Sequence, residues 1–123
     1  MNQIERKILI IDPDTHERKA LVDYLRKEKY SVETGEGLAD AVKKLAQNHF
    51  PCIIMDVDLP EMKGYDAVSI LKNIEPKTKI IVTTKKNSKD LEAKVREQDI
   101  FFYFIKSFGK EELKLAINNV FSK

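Results

Sequence analysis

Four polar residues lie at the ends of apolar segments in this sequence, and their side chains suit the chemistry of a phosphoryl group. Asp12 follows ILII, and Asp56 follows CIIM. Thr83 lies near the end of KIIVTT, and Lys106 directly follows FFYFI. An aspartate can act as a nucleophile, and a hydroxyl and an ammonium can stabilise phosphoryl oxygens. Together they predict transfer of a phosphoryl group to a carboxylate, although each alone is also an ordinary cap, strand residue or surface lysine.

The two aspartates also suggest a metal site. Two carboxylates that converge repel each other unless a proton or a cation lies between them. Mg²⁺ prefers oxygen ligands and keeps several waters, so Asp12 and Asp56 predict a magnesium site, with a helix cap or a solvated loop acid as the alternative for Asp12. Asp14 lies three residues before Glu17. This capping-box spacing favours a helix cap over a metal contact for Asp14.

The elements that must position these residues follow from the apolar pattern. Three of the five apolar segments are apolar throughout, which is typical of strands covered on both faces of a parallel sheet. A helical stripe of apolar residues follows each segment. This alternation predicts an α/β, doubly wound (βα)5 flavodoxin-like fold, with strand order 2-1-3-4-5 and helices on both faces. Its crevice between the first and third strands should bring Asp12 and Asp56 together. The predicted strands are Lys7–Ile11, Ser31–Thr34, Cys52–Met55, Lys79–Thr84 and Phe101–Ile105.

Composition limits the classes of function. A chain of 123 residues is the size of one domain, here residues 1–123. The formal net charge of +2 argues against direct nucleic-acid binding. Cys52 is the only cysteine, which excludes an internal disulfide. The longest apolar run, Ile100–Ile105, is too short to cross a bilayer, and the start MNQIERK does not resemble a signal peptide. We therefore expect a cytoplasmic protein with no membrane contact.

The sequence resembles a response-regulator receiver domain of two-component signalling, of the single-domain, chemotaxis-regulator-like kind. The resemblance covers essentially the whole chain. It rests on ILIID, MDVDLPEMKG, VTT, and Tyr103 followed by IKSF. Its most specific part is the spacing of Asp56, Pro60 and Gly64.

The resemblance implies a role for each residue of the predicted site. Asp56 would be the phosphoacceptor, with Lys106 contacting the phosphoryl group and Thr83 hydrogen-bonding it. Asp12, Asp56 and the backbone carbonyl of Asp58 would hold Mg²⁺. Such a domain is a signalling phosphoprotein that carries an aspartyl phosphate, and it is not an enzyme.

The resemblance also implies a conformational switch and partners. Thr83 and Tyr103 would move together after phosphorylation. The phosphoryl group would come from a sensor histidine kinase or a phosphotransfer protein. The face made by the fourth helix, the fifth strand and the fifth helix would bind a downstream protein target, with a phosphorylation-driven homodimer as a further option.

Three positions depart from the family pattern. Pro13 stands where a second metal-binding acid is usual, so Mg²⁺ should bind more weakly; the Asp58 carboxylate could compensate in part. Ser107 replaces the proline that normally follows the lysine through a cis peptide bond. A cis bond before a non-proline residue costs roughly 2.5–4 kcal/mol, so we expect either a trans bond with a shifted loop or a strained cis bond. Thr84 stands where a smaller residue is common and should narrow access to the acceptor.

Alternatives remain open at this point. The chain could be a degenerate receiver, which acts as an interaction module without phosphorylation. Pro13 and Ser107 favour this alternative. The intact Asp56, Thr83 and Lys106 oppose it. A single-domain regulator and a fragment of a longer chain are both compatible with a sequence that stops after the fifth helix.

Two other classes fit the motifs poorly. A phosphatase of the haloacid dehalogenase type would need Thr or Val four residues after its first aspartate, where this sequence has His16 or Pro60. A flavin protein of the same topology would need a Ser/Thr/Gly-rich phosphate loop, which DPDTHER is not.

Overall fold

A computed structural model of the protein describes residues 6–122. Strands and helices alternate along the chain, and a short 3₁₀ turn, Lys106–Phe108, precedes the last helix. The strands are β1 (Lys7–Ile11), β2 (Ser31–Gly35), β3 (Cys52–Asp56), β4 (Lys79–Thr84) and β5 (Phe102–Ile105). The helices are α1 (Thr15–Lys27), α2 (Leu38–Gln47), α3 (Gly64–Ile74), α4 (Lys89–Arg96) and α5 (Glu111–Phe121). The predicted strands differ from these by at most one residue at an end.

The five strands form one parallel sheet in the order β2-β1-β3-β4-β5, which confirms the predicted topology. The register places Asp56 of β3 beside Thr83 of β4, and Thr84 of β4 beside Ile105 of β5. Ile11 of β1 lies beside Met55, so Asp12 follows β1 at the same level. The carboxyl ends of four strands therefore meet at one edge of the sheet.

Both faces of the sheet are covered, as the apolar strands require. Alternate residues of β1 and β3 point to opposite faces, so each strand contributes to both halves of the core. One half packs against α2, α3 and α4 through residues such as Ala41, Leu71 and Val95. The other half packs against α1 and α5 through Leu25 and Ile117. Burial on both sides fixes the strand register and with it the edge that carries the polar residues.

Two caps determine where helices next to this edge begin. Asp14 precedes α1, and its side chain accepts a hydrogen bond from the Glu17 amide at 3.0 Å, which confirms the predicted cap. That hydrogen bond lowers the pKa of Asp14. Ser88 caps α4 in the same way through the Leu91 amide at 3.1 Å. Among residues 6–122, no helix combines the length and apolar character needed to span a membrane.

Candidate functional site

The two predicted aspartates lie at the carboxyl ends of neighbouring strands and are both buried. Asp12 is 3% exposed and Asp56 is 9% exposed. Oδ1 of Asp12 accepts a hydrogen bond from the Asp14 amide at 2.9 Å. Oδ2 of Asp56 accepts one from the Asp58 amide, also at 2.9 Å. Each carboxylate is thus oriented by the backbone of the loop that follows its own strand.

Lys106 joins the two acids. Its Nζ atom lies 2.8 Å from Oδ2 of Asp12 and 2.9 Å from Oδ1 of Asp56. Burial opposes the charged form of this lysine, but hydrogen bonds to Asp12 and Asp56 outweigh that effect and raise its pKa. A buried ammonium between two carboxylates therefore offsets the repulsion that the acids would otherwise exert on each other.

The backbone beyond Lys106 settles the question raised by Ser107. No peptide bond among residues 6–122 is cis, so the trans alternative is correct. The chain turns through the short 3₁₀ segment Lys106–Phe108, and Gly109 follows with φ of +88°, a conformation that favours glycine. Lys106 contacts both acids in this conformation, so a proline at position 107 is not needed to bring its amine to Asp56.

The ionisation of Asp56 reflects opposing effects. Burial raises its pKa, and the charge of Asp12 adds to that rise. The hydrogen bond from the Asp58 amide and the contact with Lys106 lower the pKa, but the net direction is upward. Lys106 is thus the main side chain that favours the ionised form of Asp56, the form that a nucleophile requires.

Two threonines end β4 beside Asp56. Oγ1 of Thr83 lies 3.4 Å from Oδ1 of Asp56, longer than a typical hydrogen bond. The Thr83 carbonyl accepts a hydrogen bond from the Val57 amide at 2.8 Å, which holds the end of β4 against β3. Thr84 is 2% exposed, and its hydroxyl donates to the Lys86 carbonyl at 3.1 Å. Thr83 therefore lies beside the predicted acceptor, and the Thr84 hydroxyl is held by the loop that follows β4.

Tyr103 of β5 is buried and contacts the loop after β4. It is 6% exposed, and its hydroxyl donates a hydrogen bond to Oδ1 of Asn87 at 2.6 Å. Burial raises its pKa. The Arg96 guanidinium lies 5.7 Å from the centre of its ring. Tyr103 therefore links β5 to the loop between β4 and α4, the loop that begins directly after Thr84.

The oxygen atoms of this cluster fit a magnesium ion with few protein ligands. Within the described part of the chain, no three His, Cys, Asp or Glu side chains are grouped so that they could hold a metal ion together. The two carboxylates Asp12 and Asp56 lie at the same edge, and Mg²⁺ sites often use only one or two carboxylates with waters and phosphate. The Asp58 carboxylate pairs with Lys63 at 2.7 Å, so its side chain is engaged elsewhere.

A match to a family model provides the identification. The model of the response regulator receiver domain matches residues 8–118. The chain belongs to the response regulator receiver family. Receiver domains of this family are signalling domains of two-component systems, so the resemblance noted in the sequence and the flavodoxin-like topology are both confirmed.

Relatives and solved structures agree with this assignment. The transcriptional regulatory protein SrrA of Staphylococcus aureus (strain NCTC 8325 / PS 47) is 27% identical over 114 residues, which is 93% of this chain and 47% of that protein. The receiver domain thus spans about half the length of that relative. The beryllofluoride-activated NtrC4 receiver domain dimer is 28% identical, with a TM-score of 0.86 over 94% of this chain and 96% of that chain. TrrA from Thermotoga maritima, solved in complex with Mg²⁺ and BeF, is 25% identical, with a TM-score of 0.81 over 93% and 97% of the two chains.

The receiver domain has two further charged residues at this edge, Glu17 and Lys85. Oε1 of Glu17 lies 3.7 Å from Nζ of Lys106, and Oε2 lies 3.9 Å from Nζ of Lys85. Lys85 also lies 3.7 Å from Oδ2 of Asp14. Lys85 lies in a basic run with Lys86 and Lys89, for which the sequence favours a solvated loop beside the site over a docking patch for an acidic partner. Glu17 lies in the first turn of α1, directly after Asp12 and its loop, and this position was the available signal. Glu17 was interpreted only as the capping-box partner of Asp14.

An open cavity of about 820 Å³ lies over this cluster. The acids and Lys106 are part of its lining, and Pro13 and Thr84 also line it. Two of the three positions that depart from the family pattern, Pro13 and Thr84, therefore border the space in front of Asp56, and Ser107 does not line the cavity. The cavity is large enough for a small molecule or for an inserted side chain of a partner.

Proposed function

We propose that Asp56 of this receiver domain accepts a phosphoryl group in a magnesium-dependent step and that the domain then signals to a protein partner. The observation that carries the proposal is the position of Lys106, whose amine lies within 3 Å of both Asp12 and Asp56 at the edge where Thr83 lies beside Asp56 in the sheet. This arrangement combines a nucleophile, a cation and a hydroxyl, the groups that phosphoryl transfer to a carboxylate requires.

The transfer replaces one bond to phosphorus by another. A carboxylate oxygen of Asp56 forms a P–O bond while the P–N bond of a phosphohistidine donor breaks, and the imidazole leaves with the electron pair. We infer that the donor is a sensor histidine kinase or a phosphotransfer protein. The chain's own contribution is to hold the acceptor ionised and oriented through Lys106 and the Asp58 amide.

Lys106 and Thr83 are proposed to stabilise the phosphoryl oxygens. The ammonium offsets negative charge that grows as the phosphoryl group approaches, and the hydroxyl donates a hydrogen bond. Asp12, Asp56 and the Asp58 carbonyl are proposed to hold Mg²⁺, which when bound offsets further negative charge on those oxygens. Pro13 supplies no side-chain oxygen, so we expect weak metal binding.

Signalling is proposed to run from Thr83 through the loop after β4 to Tyr103. The Tyr103 hydroxyl is hydrogen-bonded to Asn87 of that loop, so movement of the loop changes the surroundings of the ring. The α4–β5–α5 face carries exposed apolar side chains at Phe101 and Leu115, which suits contact with a protein target or a second copy. A cytoplasmic location accords with a kinase donor and is part of the proposal.

The decisive experiment is phosphorylation of the purified chain. Acetyl phosphate with Mg²⁺ should add the mass of one phosphoryl group, detected by intact-mass spectrometry, and Asp56→Asn should abolish the addition. Beryllofluoride with Mg²⁺ should shift the amide resonances of Thr83 and Tyr103. If the unsubstituted chain and Asp56→Asn respond identically at high Mg²⁺, phosphoacceptor function is wrong.

One observation favours a second candidate function. Pro13 lines the cavity at the position where the family usually has a metal-binding acid. Because the metal site is then weak, the domain could act as an interaction module that does not need phosphorylation. In that case a partner would bind Asp56→Asn and the unsubstituted chain with equal affinity, with and without beryllofluoride.

A further inference from the structure

The loop between β3 and α3 is attached to helix α2 by one carboxylate. Oε1 of Glu61 accepts a hydrogen bond from the Leu38 amide at 2.8 Å, and Oε2 accepts one from the Ala39 amide at 3.1 Å. These amides belong to the first turn of α2, where backbone N–H groups have no acceptor within the helix. Glu61 therefore caps a helix that lies 22 and 23 residues earlier in the chain.

Gly37 makes room for this attachment. It precedes α2 at the position where a capping side chain usually stands, and it supplies no cap of its own. A Cβ atom at Gly37 would lie 2.5 Å from Oε1 of Glu61 and 3.0 Å from Cδ of Pro60. The two hydrogen bonds lower the pKa of Glu61, which keeps a negative charge at the positive end of the helix dipole.

The same loop carries groups that face the acceptor. The Asp58 amide donates to Oδ2 of Asp56 at 2.9 Å, and the Asp58 carbonyl is the proposed backbone ligand of Mg²⁺. The loop is short and closed, because the Leu59 amide donates to the Met62 carbonyl at 3.2 Å and the Gly64 amide donates to the Val57 carbonyl at 2.6 Å. Glu61 and Asp58 therefore belong to the same hydrogen-bonded loop.

We propose that Glu61 is a positioning residue for the phosphoacceptor site, because it holds the 58–63 loop on the N-terminus of α2 and so fixes the Asp58 amide and carbonyl relative to Asp56. The part of this inference that concerns Mg²⁺ rests on the proposed function. α2 is a suitable anchor because Ala41 packs, fully buried, into the core. By the same attachment, the capping of the first turn of α2 depends on the position of the loop that carries Glu61.

The test separates positioning from simple helix capping. Glu61→Ala removes both the cap and the attachment. The double variant Gly37→Ser/Glu61→Ala offers α2 a new cap, because a serine side chain at position 37 can accept from the helix amides and the Glu61 carboxylate no longer fills that space. Its Cβ would still lie 3.0 Å from Cδ of Pro60. Gly37→Ala/Glu61→Ala has the same contact without a cap and is therefore the reference for loop exchange in this double variant. Asp40→Ala is the matched control, since Asp40 accepts a hydrogen bond from the Glu36 amide within its own segment and none from the loop.

Three quantities are measured by NMR and thermal unfolding: the Mg²⁺ dissociation constant, the amide exchange rates of Leu59 and Gly64 without metal, and the melting temperature. Glu61→Ala should weaken Mg²⁺ binding about tenfold, the lower end of the loss expected when the support of a metal ligand is removed, speed exchange of both amides and lower the melting temperature. The double variant should recover the melting temperature, while exchange stays fast and Mg²⁺ binding stays weak. Asp40→Ala should leave Mg²⁺ binding and loop exchange unchanged.

Two results would overturn the inference. One is loop exchange in Glu61→Ala that equals that of the unsubstituted chain. The other is a double variant that recovers loop exchange together with the melting temperature, which would make Glu61 a helix cap and nothing more. If the unsubstituted chain binds no Mg²⁺, the metal part of the proposed function fails, and the metal-free exchange rates still decide the role of Glu61.

Discussion

The Nζ atom of Lys106 lies 2.9 Å from Oδ1 of Asp56, although the strands that precede them are not neighbours. β4 separates β3 from β5 in the sheet, so the lysine side chain must extend over the end of β4. It does so with only 14% of its side chain exposed. Its enclosure and its two carboxylate partners make Lys106 the residue whose removal should affect the acceptor most.

Lys106→Met should slow phosphorylation of Asp56 by acetyl phosphate about a hundredfold, the typical cost of removing one preorganised donor. Methionine keeps most of the length of the side chain and removes its charge. The rate is followed by intact mass at saturating Mg²⁺. Lys110→Met serves as the control, because Lys110 lies over the Tyr24 ring and touches no acid of the site. Equal rates for both variants would remove Lys106 from the proposed chemistry.

Asp56→Asn should stabilise the metal-free fold at neutral pH. Burial raises the folded-state pKa of Asp56 above its ordinary value of 3.8, so the folded state holds the proton more tightly than the unfolded chain does. Unfolding free energy therefore falls as pH rises from 3.8 through the folded-state pKa. Asparagine does not ionise, so the variant does not lose stability in this way. We expect the unfolding free energy of Asp56→Asn to exceed that of the unsubstituted chain by about 1 kcal/mol at pH 7, the usual size of a single-residue effect.

Urea unfolding at several pH values checks that expectation. The difference between Asp56→Asn and the unsubstituted chain should be small at pH 3 and grow as the pH rises. Asp23→Asn is the control, because Asp23 is exposed and, among residues 6–122, pairs with Lys19 alone. A variant that is less stable than the unsubstituted chain at pH 7 would contradict the assigned direction of the pKa shift.

Pro13→Asp should strengthen Mg²⁺ binding about tenfold, the gain expected from one added charge near a divalent ion. Position 13 lines the cavity beside Asp12, so the new carboxylate would face the same space. The dissociation constant is measured by NMR titration. Thr15→Asp adds the same charge at a position that does not line the cavity, and it should have a much smaller effect. Equal affinities in the two variants would mean that Pro13 does not weaken the site.

Thr84→Ala should speed phosphorylation by acetyl phosphate several-fold, because a smaller side chain widens access to Asp56. It should also lower the unfolding free energy by about 1 kcal/mol, since the hydrogen bond to the Lys86 carbonyl is lost. Thr84→Val separates the two effects, because valine keeps the size of the side chain and lacks the hydroxyl. This variant should be less stable than the unsubstituted chain and should still be phosphorylated slowly. Rapid phosphorylation of Thr84→Val would show that the hydroxyl, and not the size of the side chain, limits the rate.

The sequence predicted the fold and the residues at the site edge because both depend on local pattern. Apolar segments of strand length alternating with helical stripes leave one reasonable architecture. Once the sheet is parallel, polar residues at strand ends must share an edge, and this placed Asp12, Asp56, Thr83 and Lys106 together. The last residue of a strand was harder to predict. Gly35 and Asp56 continue the backbone pairing of their strands, but neither has an apolar side chain that would indicate a strand residue.

The tertiary structure decided contacts between segments that are far apart in the chain. Glu61 reaches the start of α2, and Tyr103 reaches Asn87, and neither pairing leaves a spacing signal in the sequence. The partners of Glu17 were equally hidden, because its capping-box position has a sufficient local explanation. Local periodicity thus determined which residues reach the edge of the sheet, whereas the path of each crossover and loop decided which side chains meet there, since those distances depend on the packing of whole elements.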